Sequence, residues 1–184
     1  MLTEDDLKQL PDCFKTKTYL KGEFLVRPGD RCKNIFFIEK GLVRQFTIDS
    51  NDKEHIIHFS PENFLVSDRS SAYFNQPTEF FIEALEDTVV YIMDENFINK
   101  ASDVSKLFRE FNHRALHNNI RVMQKRINHL LTATAEERYL EFVKTYPSLY
   151  QRVPQWMIAS YLGVTPEGLS RVRKELTRKH PKLR

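Results

Sequence analysis

Between Thr18 and Met93 the apolar residues come in short runs: Phe24-Leu25-Val26, Ile35-Phe36-Phe37-Ile38, Leu42-Val43, Ile56-Ile57, Phe80-Phe81-Ile82 and Val89-Val90-Tyr91-Ile92. The runs are rich in β-branched and aromatic side chains, which suit a pleated, half-buried surface. Turn residues bound them, at Lys21-Gly22, Pro28-Gly29-Asp30, Lys40-Gly41, Asp49-Ser50-Asn51-Asp52 and Ser60-Pro61. The spacing predicts antiparallel strands closed into a sandwich or barrel, with no helical periodicity in this stretch.

The period changes after Asp94. Phe97, Ala101, Val104, Phe108, Phe111 and Ala115 step by four and three, and a second line runs through Leu116, Ile120, Met123, Ile127 and Leu130. No Pro or Gly falls between Asp94 and Leu131, so a long helix is expected, preceded by a short one ending near Lys100. One seam is expected to pack on the β-domain and the other on a second copy of the chain. So small a β-domain offers little surface to cover so long a helix, which favours dimerisation through Phe111, Leu116, Ile120, Met123 and Ile127 over a single buried core helix. Thr134-Ala135-Glu136-Glu137 has the form of a capping box. The helix it starts, with Leu140 and Val143 on one face, is expected to stop before Pro147, and Tyr146 to Gln151 read as a connector. The expected organisation is a β-domain over 1–100, a dimerisation helix over 101–131 and a C-terminal unit over 132–184.

In that unit, Pro154 to Gly163 reads as a short helix with Pro in its first turn and Gly at its end. A turn of two or three residues leads to a second helix, capped by Thr165 with Pro166 at its first position. Small Ala159 lets the two approach, while Ile158, Leu162, Val164, Leu169 and Val172 fill the angle between them. This is the pattern of a helix-turn-helix. Glu167, Ser170, Arg171, Arg173 and Lys174 are expected to project, and with Thr165, Pro166 and Arg178 they form the candidate DNA-contacting set. Arg171 suits the O6 and N7 acceptors of guanine, because its planar fork donates two parallel hydrogen bonds. Glu167 suits a cytosine amino group or holds Arg171 in place.

Charge strengthens this reading. The chain carries +3 overall, but ten Lys and Arg face five Asp and Glu from Glu136 onward, so this part is +5 and the remainder −2. A basic unit fits double-stranded DNA as partner. With 184 residues, 41% hydrophobic and 29% charged, the chain reads as globular. No apolar run approaches the roughly 20 residues that span a bilayer, and the opening Met-Leu-Thr-Glu-Asp-Asp is acidic where a secretion signal is basic. A cytoplasmic protein without membrane contact is expected. Cys13 and Cys32 are too few for a disulfide framework or a thiolate metal site, and both are read as reduced and structural.

Lys21-Gly22-Glu23, Arg27-Pro28-Gly29-Asp30, Phe36-Phe37-Ile38 and Gly41-Leu42-Val43-Arg44, followed by a long helix and a helix-turn-helix, resemble the catabolite-activator/FNR (Crp/Fnr) family of bacterial transcription regulators. The resemblance covers nearly the whole chain. It implies an α+β architecture: a cyclic-nucleotide-binding-like antiparallel jelly roll, a long dimerisation helix and a C-terminal winged-helix-type unit. The wing is expected to be shortened, because few residues follow Leu176. The resemblance also implies a homodimer on DNA, contact with RNA polymerase and a small-molecule effector.

The family's recognition helix commonly carries Arg-Glu and, a turn later, Arg. The matching positions here are Pro166, Glu167 and Arg171, so the first base contact is missing and Arg173 is the candidate substitute. Nucleotide-binding members use Gly-Glu for the ribose and Arg with Ser or Thr for the phosphate. Val66 and Ser67 stand at the first element, Thr78 and Glu79 near the second. A carboxylate in place of the phosphate-binding Arg would repel a buried anion, so cyclic AMP is not expected to bind in the usual manner. Asp68 and Arg69 complete the pocket candidates, although a solvated loop is the plainer reading of Arg69. The N-terminal cysteine cluster of oxygen-sensing members is missing, and no His or Cys stands out as a haem ligand. No cofactor is therefore called for.

Two other classes compete. Jelly rolls also house metal-dependent enzymes, but residues three apart on a strand face opposite ways, so His55 and His58 are not expected to share a metal, and no catalytic residue is assigned. The other alternative is a ligand-binding or protein-interaction module of the same fold that does not read DNA specifically.

Overall fold

A computed structural model describes residues 15–179; Cys13 and the expected wing after residue 179 lie outside the described residues. Eight strands form the β-domain: β1 (Lys15–Tyr19), β2 (Phe24–Val26), β3 (Asn34–Lys40), β4 (Val43–Ile48), β5 (Glu54–Ser60), β6 (Leu65–Val66), β7 (Phe81–Ala84) and β8 (Thr88–Asp94). They make two four-stranded sheets, in the orders β1-β8-β3-β6 and β2-β7-β4-β5. All the pairings are antiparallel. Alternate residues on facing strands, among them Phe36, Ile38, Val43, Val66, Ile82 and Val90, close the interior between the sheets. Gly41 makes the turn from β3 to β4 with φ +104°, and a Cβ there would lie 2.4 Å from the Thr88 hydroxyl oxygen. No side chain fits that turn.

The long apolar pattern after Asp94 divides at Ser105, not near Lys100, into α2 (Glu95–Val104) and α3 (Lys106–Thr132). Ser105 ends one helix and starts the next: its N–H donates to the Ala101 carbonyl at 3.0 Å, and its hydroxyl accepts from the Phe108 N–H at 3.4 Å. Phe97, Ile98 and Ala101 bury against Ile35, with Val104 and Phe108 alongside, so the first seam packs on the β-domain. The second seam is exposed.

Two short helices depart from the sequence reading. Within the stretch expected to lack helix, α1 (Arg69–Phe74) forms where Asp68 accepts from the Ser70 and Ser71 N–H groups and Asn75 turns left-handed at φ 54°. The connector also contains a turn of helix, α5 (Leu149–Arg152). The other helices are α4 (Ala135–Thr145), started by the full Thr134/Glu137 capping box, α6 (Gln155–Leu162) and α7 (Pro166–Lys179). Pro154 is the residue before α6 and not its first turn, and Gly163 ends that helix at φ 67°.

The C-terminal helices do not stand apart from the β-domain. Leu42, Phe46, Ile56 and Phe59 share one buried cluster with Phe142, Leu149, Ile158 and Leu169. At roughly 25 cal/mol per Å² of apolar area removed from water, a shared core of this kind holds the unit on the β-domain far more firmly than the ion pairs at its rim.

Candidate nucleic-acid interface

The two helices of the C-terminal unit meet at Gly163, Val164 and Thr165. Ala159, fully buried, lies where they approach, and its carbonyl accepts from the Val164 N–H at 3.0 Å. Thr165 accepts from the Gly168 N–H at 3.1 Å through its hydroxyl, which satisfies a free amide at the start of α7. Leu169 and Leu176 bury one face of this helix. Pro166, Glu167, Ser170, Arg171, Lys174 and Arg178 are exposed on the remainder. Arg171, Lys174 and Arg178 have no ion pair among the described residues, so their charges face solvent.

Arg173 is a correction to the sequence reading. Expected to project, it is partly buried: its guanidinium donates to Gln155 Oε1 at 2.9 Å and to the Tyr150 hydroxyl, tying α7 to α6 and α5. Lys179 is held more loosely, by Glu136 at 2.8 Å.

The unit docks on β5, the edge strand of its sheet. The Ser160 hydroxyl on α6 accepts from the Ile56 N–H at 3.0 Å and donates to the Glu54 carbonyl at 3.0 Å, so the helix takes the place of a further strand. Arg126 on α3 donates to the carbonyls of Ile56 at 3.2 Å and Tyr161 at 3.0 Å, while its guanidinium lies over the Tyr161 ring. Arg152 completes the seam with two carboxylates of the β-domain, Glu62 at 2.9 Å and Glu86. That guanidinium holds the Glu62 carboxyl below its ordinary range. Sequence inspection missed Arg126, Arg152 and Ser160, because their partners lie as far as 106 positions away.

Most of the pocket candidates are taken up by packing and local contacts. Val66 belongs to the packed interior of the roll, and Ser67 lies beside Cys32. Asp68 caps α1, Arg69 pairs with Glu95 at 2.7 Å, and Thr78 exchanges backbone hydrogen bonds with Gly29 and Asp30. Glu79 is exposed.

The two histidines of β5 also differ from expectation. A bulge opposite Gln45 and Phe46 lets Ile56 and Phe59, three apart, enter the same core, so simple alternation does not separate His55 from His58. They are nonetheless engaged differently: His55 bonds Asp49 at 2.7 Å, while His58 lies against the Phe64 ring. Among the described residues no group of three His, Cys, Asp or Glu side chains is placed to hold a metal. Apolar surroundings, with Arg126 adding a smaller effect, push the His58 imidazole down to about 4. The sign follows: the unfolded chain takes up this proton near the ordinary value of 6.5 and the folded chain only near 4, so stability is lost as pH falls between the two. Urea unfolding of the protein and of His58→Phe should diverge by about 1–2 kcal/mol between about pH 7 and about pH 5, the variant losing less. Parallel curves would show that His58 titrates freely in the folded chain.

Residues 16–103 match the cyclic nucleotide-binding domain family. The chain is 26% identical to Electron transport regulator A of Shewanella oneidensis, over 93% of its own length and 72% of that protein. It is equally 26% identical to the Fumarate and nitrate reduction regulatory protein of Vibrio cholerae, with the same shares covered. Its fold matches FixK2 from Bradyrhizobium japonicum with a TM-score of 0.74, covering 90% of this chain and 85% of that one at 19% identity. Along most of its length the chain is similar to bacterial transcription regulators of the Crp/Fnr type. The jelly roll, long helix and C-terminal helices are those the resemblance implied, and the matched relatives are named as regulators. Among the described residues no helix is long and apolar enough to cross a membrane.

Proposed function

We propose that this chain regulates transcription in the cytoplasm as a homodimer that lays α7 in the major groove of double-stranded DNA. The observation that carries the reading is the outer face of α7, where Glu167, Ser170, Arg171 and Lys174 are exposed on a helix whose other face is fixed by Leu169, Leu176 and the Arg173 contacts. The N-terminal half of such a helix meets base edges, and basic side chains at its flanks meet phosphates. In this reading Arg171 reads guanine, Glu167 orients it or accepts from cytosine, and Lys174 and Arg178 neutralise phosphates. Thr165 and Pro166 set the start of the helix close to the backbone. The exposed line of α3 joins two copies so that their recognition helices lie about one DNA turn apart, roughly 34 Å. RNA polymerase is the partner through which such a dimer acts.

The sensor half is read as departing from the nucleotide-binding pattern. Val66 packs inside the roll where the resemblance puts a ribose-binding Gly, and Glu79 brings a negative charge to the phosphate-binding element. Cyclic AMP is not the effector in this reading.

The test is a mobility shift with DNA selected from a random pool by the protein itself. Binding should weaken steeply as salt rises, because neutralised phosphates release counterions. Arg171→Ala should weaken the selected sequence about ten- to a hundredfold and relax preference at one base pair, while Lys174→Ala should weaken all sequences alike. A stable dimer indifferent to every DNA would leave the protein-interaction reading in its place.

A further inference from the structure

His113 and His117 stand four apart on α3, a spacing that puts two side chains on one face of a helix, one turn above the other. Their Nε2 atoms lie 3.2 Å from each other, while the ring centroids are 4.4 Å apart with the planes at 69°. The two rings therefore turn the same nitrogen toward each other. An ion bound about 2.0–2.1 Å from each nitrogen would hold the two roughly 2.8–3.4 Å apart, from right-angled to tetrahedral geometry. The side chains already stand at that separation. Without an ion, the pair shares at most one hydrogen bond on an exposed surface, where water competes for both nitrogens and little is gained. Two imidazoles converging in this way complement a cation better than they complement each other.

We propose that His113 and His117 chelate one divalent transition-metal ion of the zinc, nickel and copper class, with water completing its coordination. Imidazole suits these ions, whereas magnesium and calcium are held by oxygen ligands. Among the described residues no third His, Cys, Asp or Glu joins the pair, and Glu110, the nearest carboxylate along the chain, lies 4.0 Å from Lys106. Two protein ligands with the other positions left to water make an exchangeable site, unlike the closed four-ligand sites that hold folds together. The pair is not a hydrolytic centre: Arg114 follows His113 where the helical H-E-x-x-H pattern has the Glu that serves as general base. At about 100° per residue the circuit of α3 runs from Phe108, on the β-domain side, through Asn119 and Asn112 to the line of Met123, Leu116 and Ile120, and then to His113 and His117. The pair stands on the far side of that exposed line from the β-domain, and both of its ligands come from one chain. Binding requires neither DNA nor a second copy.

The experiment titrates the full chain, freed of metal by a chelator and dialysis, with zinc chloride and nickel chloride by calorimetry, and follows the ring nitrogens by NMR of the protein labelled with ¹⁵N-histidine. One ion per chain is expected, shifting the Nε2 signals of two histidines, which His113→Gln and His117→Gln identify by their loss. Either replacement should weaken binding of that ion at least about tenfold, and the double variant should lose little more, because one imidazole alone has no chelate to lose. Glutamine is a good helix former at these exposed positions, and circular dichroism checks that α3 is retained. His55→Gln, which removes the ring beside Asp49, should leave binding unchanged, and magnesium chloride should move none of the signals. Absence of a saturable site, undiminished affinity in the double variant, loss of the site in His55→Gln, or one ion for every two chains would overturn the proposal.

Discussion

Replacing Ile120 with glutamate is expected to leave the chain monomeric and to lower its affinity for DNA carrying two half-sites by roughly 10²–10⁴-fold. The size of the effect comes from linkage of the two recognition helices. Once one α7 is seated, the second binds from a high effective concentration, and that gain vanishes when the subunits separate. Ile120, Met123 and Ile127 are 53%, 57% and 58% exposed in the single chain, an apolar line along α3 that water would otherwise cover. Around a twofold axis each residue meets its own counterpart or a neighbour of it, so a new carboxylate faces another carboxylate in an apolar seam. Sedimentation should show the loss of dimer, and mobility shifts should show that DNA with a single half-site is bound as by the unaltered protein. Retention of the dimer, or a monomer with full affinity for the paired site, would contradict the dimer reading. Phe111 sharpens the contrast. Although expected among the dimerisation residues, it steps along the chain with Phe108 and lies beside that ring on the β-domain side of α3, so Phe111→Glu should disturb dimerisation far less than Ile120→Glu.

Features decided within a few residues were legible in the sequence. The Thr134/Glu137 capping box, the left-handed Gly163 and the Thr165-Pro166 start of α7 each depend on hydrogen bonds spanning three or four positions, and the residue types announce them. The strand runs were legible because clusters of β-branched and aromatic residues between turn residues belong to each strand alone. Features decided between distant segments were not. Nothing near Arg173 signals that Gln155 and Tyr150 will take its fork, and nothing near Arg152 points to Glu62 and Glu86. The short α1 escaped because its stabilising groups are one Asp side chain and a left-handed Asn, too local to produce a period. The β5 bulge escaped because an extra residue in a strand leaves the composition unchanged and shows only in the register against β4. The helix-turn-helix geometry was therefore read in outline, and its docking on the β-domain was not.

Arg44 carries the second large effect. In the sequence it closes a turn pattern, Gly41-Leu42-Val43-Arg44; in the fold its side chain is only 7% exposed. The guanidinium bonds Glu83 on β7 through Nε at 2.7 Å and Glu54 on β5, so one residue of β4 ties together three strands of its sheet. It also lies 4.0 Å over the Phe46 ring and 5.6 Å from the ring of Trp156 on α6. Arg44→Met keeps the stem and removes the charge, leaving two carboxylates with 15% and 29% side-chain exposure beside each other without a cation. Breaking a buried ionic group on one side costs about 3–5 kcal/mol, more than the group contributes over an apolar replacement, because the remaining charges are stranded. Urea unfolding should show a loss of that size, and Glu83→Gln in the Arg44→Met background should recover part of it. Trp156 is the chain's one tryptophan, so its emission reports the surroundings of that ring. A red shift in Arg44→Met below the unfolding transition would place the loosening at the α6 contact with the β-domain. An unfolding free energy within about 1 kcal/mol of the parent, with unchanged emission, would mean that the apolar core alone fixes the C-terminal unit on the β-domain.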